Sequence, residues 1–155
     1  KHDIVTSQEQ ERLNAIKERR IKREMARKEG SEFLASNAKK PGIKTLPSGL
    51  QYKVITAGAG KSPQKSDKVT VHYRGTLVDG TEFDSSYARG ETVTFSVGQV
   101  IAGWTEALQL MQVGSKYKLY IPPELGYGAG GAGQMIGPNA ALIFEVELVE
   151  IIKAK

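Results

Sequence analysis

The chain has 155 residues, no cysteine and a formal net charge of +5. That length allows one packed domain plus an appendage. The lack of cysteine excludes disulfide frameworks, thiolate nucleophiles, zinc fingers and iron–sulfur sites. The charge is unevenly placed: residues 1–44 hold 12 Lys/Arg against 7 Asp/Glu, and residues 45–155 hold 10 against 10. The basic character therefore belongs to the first segment alone. The chain begins Lys1-His2-Asp3, without Met and without an apolar signal-peptide core, as expected of a processed or trimmed form. No apolar run reaches the length of a membrane span.

Residues 7–38 predict one long helix. Arg, Lys, Glu, Gln and Ala dominate it, Pro is absent and Gly30 is its only glycine. Thr6 with Glu9 fits a capping box at its start, and Pro41-Gly42 ends it. Its apolar positions, Leu13, Ile16, Ile21, Met25, Phe33 and Leu34, are too sparse to be packed along the whole length. The arm over 1–44 is thus either a solvated linker or a stalk leading to a dimerisation region. Helical spacing such as Glu24 with Lys28 suggests self-paired charges. The cluster Arg19-Arg20-Ile21-Lys22-Arg23 is interrupted by Glu18, Glu24, Glu29 and Glu32 and has no aromatic neighbour. No nucleic-acid partner is expected from it.

From Leu50 the pattern changes to short strands. They are expected at Leu50–Ile55, Lys68–Arg74, Thr92–Val97, Ser115–Ile121 and Ala141–Ile151. Val69, Val71 and Tyr73 alternate onto one face, as do Leu142, Phe144, Val146 and Leu148. Pro47-Ser48-Gly49, Gly58-Ala59-Gly60 and Asp79-Gly80 mark turns. Gly103–Met111 reads as a short helix with Trp104, Leu108 and Met111 on one side. One short helix among antiparallel strands gives an α+β domain over 45–155, with the helix against one sheet face.

The usual catalytic patterns fail. His2 and His72 are the only histidines, and no His/Asp/Glu cluster has metal-ligand spacing. No Ser has triad partners. Gly126-x-Gly128-x-x-Gly131 formally matches a dinucleotide fingerprint but has Pro122-Pro123 before it and Pro138 after it. It reads instead as an irregular loop near a ligand. Neither metal nor cofactor is expected. Asp84 beside Glu82 reads as a turn residue or a hydrogen-bond acceptor. What remains is a set of aromatics, Tyr73, Phe83, Phe95, Trp104, Tyr127 and Phe144, dispersed over separate elements. Such a set points to an apolar concave site, with Phe95 and Phe144 also serving the core.

Val71-His-Tyr-Arg-Gly-Thr, Asp79-Gly-Thr-Glu-Phe-Asp-Ser-Ser, Gln99-Val-Ile-Ala-Gly-Trp-Thr-Glu-Ala-Leu, Ile121-Pro-Pro-Glu-Leu-Gly-Tyr-Gly and Leu142-Ile-Phe-Glu-Val-Glu-Leu occur in order. Over about residues 48–152 the chain resembles the FKBP-type peptidyl-prolyl isomerases. With its arm it is similar to the bacterial macrophage infectivity potentiator-like members. The resemblance implies a bent antiparallel half-barrel wrapped around a short helix, after a long N-terminal helix. It implies an apolar pocket floored by Trp104 and walled by Tyr73, Phe83, Val100, Ile101, Tyr127 and Phe144. Phe95 belongs to the same substrate-binding set. Asp84 would stand at the polar edge beside Arg89, and the Gly-rich loop would overhang with Ile136 inward. Asp84, Tyr127 and the Ile101 backbone are the implied catalytic groups. Proline-containing polypeptides, macrolides such as rapamycin, a homodimer through the N-terminal region and a periplasmic or envelope location are implied as well. Two departures, Val93 for a pocket aromatic and Ala132 for a His found in some relatives, should alter ligand fit.

Overall fold

The computed structural model describes residues 6–133 and 135–153. His2 lies outside them. Helix α1 spans Ser7–Asn37 and starts where the sequence places it: Thr6 Oγ1 accepts a hydrogen bond from the Glu9 N–H at 3.1 Å. Only Gly30 and Asn37 of this helix are buried, so most of it is held by residue propensity rather than by packing. Among the described residues, the expected Glu24–Lys28 pair is not formed; no ion pair lies within α1. The exposed side chains gain too little from pairing in water to be fixed by it.

The last two turns of α1 dock on the rest of the chain. Phe33 meets Tyr120 with ring centroids 6.1 Å apart. The Asn37 amide donates to Gln51 Oε1 at 2.8 Å, and Gln51 Nε2 donates to the Leu34 carbonyl at 2.8 Å. A Cβ on Gly30 would stand 3.3 Å from the Ala141 Cβ, so the helix backbone comes close there.

Seven antiparallel strands follow: β1 (Lys44–Thr45), β2 (Gln51–Thr56), β3 (Lys68–Leu77), β4 (Glu82–Ser85), β5 (Val93–Ser96), β6 (Lys116–Ile121) and β7 (Leu142–Ile152). Two short helices interrupt them, α2 (Ser86–Arg89) and α3 (Ala102–Leu108). The sheet order is β1-β2-β6-β7-β3-β4, and β5 shares the outer edge of β3 with β4. Register shifts at Val54/Thr56, Thr70/Val71 and Gly75/Thr76 mark irregularities that increase twist and let the sheet curl.

One face of the curled sheet carries Val69, Val71, Tyr73, Leu119, Ile121, Leu142, Phe144, Val146 and Leu148. Trp104, Ala107 and Leu108 of α3, with Met111, fill the concave side against them. This is the α+β arrangement the alternation predicts. The sequence does not predict strands β1 and β4 or helix α2: they are two to four residues long and, unlike the equally short β5, carry no run of strand-forming residues. Strand β3 also runs three residues past Arg74. Gly75 makes that extension possible: a Cβ there would lie 2.6 Å from Phe83 and 2.7 Å from Phe144.

Candidate substrate pocket

At one end of the core the sheet and α3 part to leave a cleft of about 340 Å³. It is lined by Tyr73, Phe83, Asp84, Phe95, Gln99, Val100, Ile101, Trp104, Tyr127 and Phe144. Its floor is the Trp104 indole, 4% exposed, presented by the first turn of α3. Three rings stand edge-on to it: Tyr73 at 5.2 Å, Phe95 at 5.4 Å and Phe144 at 5.2 Å, all within about 10° of perpendicular. Phe83 meets Phe144 at 5.4 Å and 87°. Edge-to-face packing fixes each ring through its neighbours, which keeps the cleft open rather than collapsed. Trp104 Nε1 is buried and has no partner among the described residues.

One side of the cleft is polar. The Tyr73 hydroxyl donates to Asp84 Oδ2, Arg89 Nη1 donates to Asp84 Oδ1 at 2.5 Å, and Arg89 Nη2 donates to the Tyr73 hydroxyl at 3.2 Å. Burial alone would push the Asp84 carboxyl up. The Tyr73 hydroxyl and the Arg89 guanidinium outweigh it and hold the group below the usual aspartate range. Burial and the Asp84 bond raise the Tyr73 phenol, and the bonds to Tyr73 and Asp84 raise Arg89. Asp84 is therefore an anion and Tyr73 a neutral donor across the physiological range. Glu82 takes no part, since it pairs with Arg74 at 2.7 Å.

The sheet holds this edge through a residue the sequence did not single out. Ser86 is fully buried. Its hydroxyl accepts from the Tyr73 N–H at 2.7 Å and lies 3.3 Å from the Tyr73 carbonyl, to which it donates. His72 Nδ1 is 2.9 Å from the same oxygen, and its ring stacks on Tyr87 at 4.7 Å. Ser86 thus ties α2, which carries Arg89, to the strand that carries Tyr73. Its burial and long-range partners leave no mark in a Ser-Ser dipeptide.

Of the residues singled out in sequence, Tyr73, Phe83, Asp84, Phe95, Val100, Ile101, Trp104, Tyr127 and Phe144 line the cleft. Arg89 stands behind Asp84. Ile136 is not among the lining residues; it is 8% exposed, packs in the core and is bridged to Ala132. Gln99, which opens one of the ordered motifs but was not singled out as a site residue, lines the cleft as well. Val93 pairs with Val71 at the sheet edge and is not part of the lining. The Gly-rich loop makes a turn over Gly128–Gly130 and places Tyr127, 40% exposed, at the mouth. Among the described residues, neither the Tyr127 hydroxyl nor the Ile101 N–H has a protein partner. Two residues with unengaged donors of different kinds therefore line the aromatic cleft.

A family model described as the FKBP-type peptidyl-prolyl cis-trans isomerase matches residues 59–149. Another, described as the domain amino terminal to FKBP-type peptidyl-prolyl isomerase, matches residues 2–54. Outer membrane protein MIP of Legionella longbeachae is 54% identical over 133 residues, 86% of this chain and 57% of that protein. The FKBP-type 22 kDa peptidyl-prolyl cis-trans isomerase of Escherichia coli is 53% identical over 142 residues, 92% of this chain and 68% of its own length. The crystal structure of FkpA from Escherichia coli superposes with a TM-score of 0.85 at 42% identity, over 97% of this chain and 75% of that one. The chain spans about half the length of several curated relatives it matches.

Proposed function

The chain belongs to the FKBP-type peptidyl-prolyl cis-trans isomerases, and we propose on that footing that it accelerates rotation about X-Pro bonds and so assists protein folding. The observation that carries this reading is the aromatic cleft floored by Trp104, with the unengaged Ile101 N–H and Tyr127 hydroxyl on lining residues. Rotation about an amide costs about 18–20 kcal/mol because resonance is lost. X-Pro bonds populate both isomers yet exchange in about tens to hundreds of seconds. The twisted state breaks no covalent bond, so a catalyst needs only to bind it better than the planar ground states.

The cleft suits that task. Rings around Trp104 accept the proline ring, and an apolar surround disfavours the strongly dipolar planar amide. The Ile101 N–H and the Tyr127 hydroxyl hold the substrate carbonyl as the bond turns. The Asp84 carboxylate acts on the polar edge electrostatically and keeps Tyr73 and Arg89 in place. Gln99, Val100 and Phe83 bear on the residues flanking the proline.

We extend the proposal to the whole chain. Residues 1–44 form an arm and 45–155 the isomerase domain. The arm meets a second copy through its N-terminal region; its apolar side chains Leu13, Ile16, Ile21 and Met25 are all at least 40% exposed and free to be covered. Among the described residues no helix is long and apolar enough to cross a membrane. A periplasmic or envelope location agrees with the name of the Legionella relative.

The deciding measurement is cis/trans exchange of a short X-Pro peptide by NMR, with and without rapamycin. Catalysis that the macrolide blocks is the expected result. A folded chain without catalysis would reduce the reading to a proline-binding module. Tyr127→Phe should lower kcat/KM about three- to tenfold, the worth of one neutral hydrogen bond. An unchanged kcat/KM removes Tyr127 from the scheme.

A further inference from the structure

A second concavity, of about 520 Å³, lies between α1 and the Gly-rich loop. One wall is Ile16, Arg19, Lys22 and Arg23, and the other is Ala129, Gly130 and Pro138. Arg19 and Arg23 stand one turn apart, where like charges weaken a helix. Among the described residues, none of the three cations makes an ion pair. The wall therefore presents uncompensated positive charge beside an apolar floor.

The two walls are tied together. The Asn139 amide donates to the Arg23 carbonyl at 3.2 Å, and the Asn139 N–H donates to the Gly128 carbonyl at 2.9 Å. Asn139 adopts a positive φ of 59°, the only non-glycine among the described residues to do so. The same loop supplies Tyr127 to the aromatic cleft, two and three residues before Ala129 and Gly130 of the groove. A polypeptide leaving the cleft past Tyr127 reaches the groove within about three to six extended residues.

We propose that this groove holds an acidic, extended segment of the same client polypeptide whose proline occupies the cleft. Preferred X-Pro sites would then carry Asp or Glu about three to six residues from the proline, the spacing that spans the loop. The location of the proline rests on the isomerase reading above; recognition of the acidic segment does not. Carboxylates complement the three cations, and Ile16, Ala129 and Pro138 match aliphatic stems. No aromatic ring lines the groove to stack a nucleobase, which favours polypeptide over single-stranded nucleic acid.

The test compares peptides with one X-Pro core, flanked at that distance on either side by three Glu or by three Gln. The Glu peptide should show a kcat/KM about threefold higher or more, with the advantage shrinking in about 0.5 M salt. Arg19→Gln/Lys22→Gln/Arg23→Gln should bring the ratio to one and leave the Gln peptide's kcat/KM unchanged. Arg19→Glu/Arg23→Glu should reverse the preference toward a Lys-flanked peptide, which a merely structural role would not produce. Equal rates for both peptides in the unsubstituted protein, or a preference that survives the triple substitution, would overturn the proposal. So would a single-stranded oligonucleotide or an anionic phospholipid vesicle that displaces the Glu peptide at lower concentration. If the unsubstituted protein turns over neither peptide, the isomerase reading fails by itself. The groove is then decided by NMR shifts at Ala129 and Gly130 with a proline-free Glu-rich peptide: shifts lost in the triple variant support it, and their absence overturns it.

Discussion

The arm and the sheet domain are stabilised in opposite ways. In α1, Leu13, Ile16, Ile21 and Met25 are all at least 40% exposed, and each backbone bond closes a ring within one turn. In the domain, Val69, Val71, Leu119, Leu142, Val146 and Leu148 are almost or fully excluded from water, and the ladders join distant segments. The difference teaches where damage spreads. A lesion in the arm is answered locally, while a lesion in the sheet reaches the cleft, because the rings that line the cleft are also the end of the core.

The largest expected effect tests that overlap. Trp104→Ala should cost about 3–5 kcal/mol of stability and remove the cleft floor, read by denaturant unfolding and by loss of macrolide binding. A variant that keeps full stability but loses binding would separate core from cleft and break the comparison. Gly75→Ala comes next. The new methyl collides with Phe83 and Phe144, so about 1–3 kcal/mol should be lost by overpacking, with weakened substrate affinity.

The seam between the regions gives a middle value. Gln51→Ala leaves the buried Asn37 amide nitrogen without its partner, while the Leu34 carbonyl keeps the Ala38 N–H. A loss of about 1–3 kcal/mol is expected, accompanied by faster hydrogen exchange over the last two turns of α1. Unchanged exchange there would mean that Phe33 and Gly30 hold the docked end unaided.

A smaller effect concerns acid. The Asp84 carboxyl titrates below its ordinary range in the folded chain. Its contribution is therefore complete above the unfolded value of about 4 and is lost as pH falls through the lower folded value. Asp84 and Arg89 are both partly open to solvent, which keeps the effect to at most about 1 kcal/mol. Asp84→Asn should flatten that acid limb in a pH series of thermal melts and leave stability between about pH 6 and 8 nearly parallel to the parent. The smallest effect is the arm's counterpart to Gly75. In Gly30→Ala, helix propensity gains about 1 kcal/mol against a squeeze on Ala141, so the net change should stay within about 1 kcal/mol of zero. A loss as large as that of Gly75→Ala would show that the arm is as tightly packed as the sheet.

Period and composition were enough to read α1, β2, β3, β6, β7 and α3, which repeat a pattern for several residues, and β5, which is only four residues long but carries the strand formers Val93, Thr94 and Phe95. Strands β1 and β4 and helix α2 are as short or shorter and carry no such run. Their form comes from partners elsewhere, such as Thr45 opposite Gln51 and Asp84 opposite Gly75. The aromatic lining was legible as a set of rings on separate elements of a chain without other catalytic patterns, and the resemblance carried by the ordered motifs arranged it. The ties made by Ser86, Gln51 and Asn139 were not legible. Each is a single polar side chain reaching across the sequence, and no local pattern distinguishes it from a surface residue.

The pairing of β3 with β7 has a further consequence, for the order of events during synthesis. Lys68 faces Ile152 and Leu77 faces Leu142, so the central ladder closes only when the segment through Ile152 has emerged from the ribosome. Helix α1 needs nothing downstream except its docked end and can form on the microsecond scale while translation continues. The nascent chain thus exposes a finished basic helix followed by unpaired apolar strands until β7 emerges. Non-local closure of this kind slows folding, and the aromatic cleft, which needs both β3 and β7, forms only after that ladder has closed.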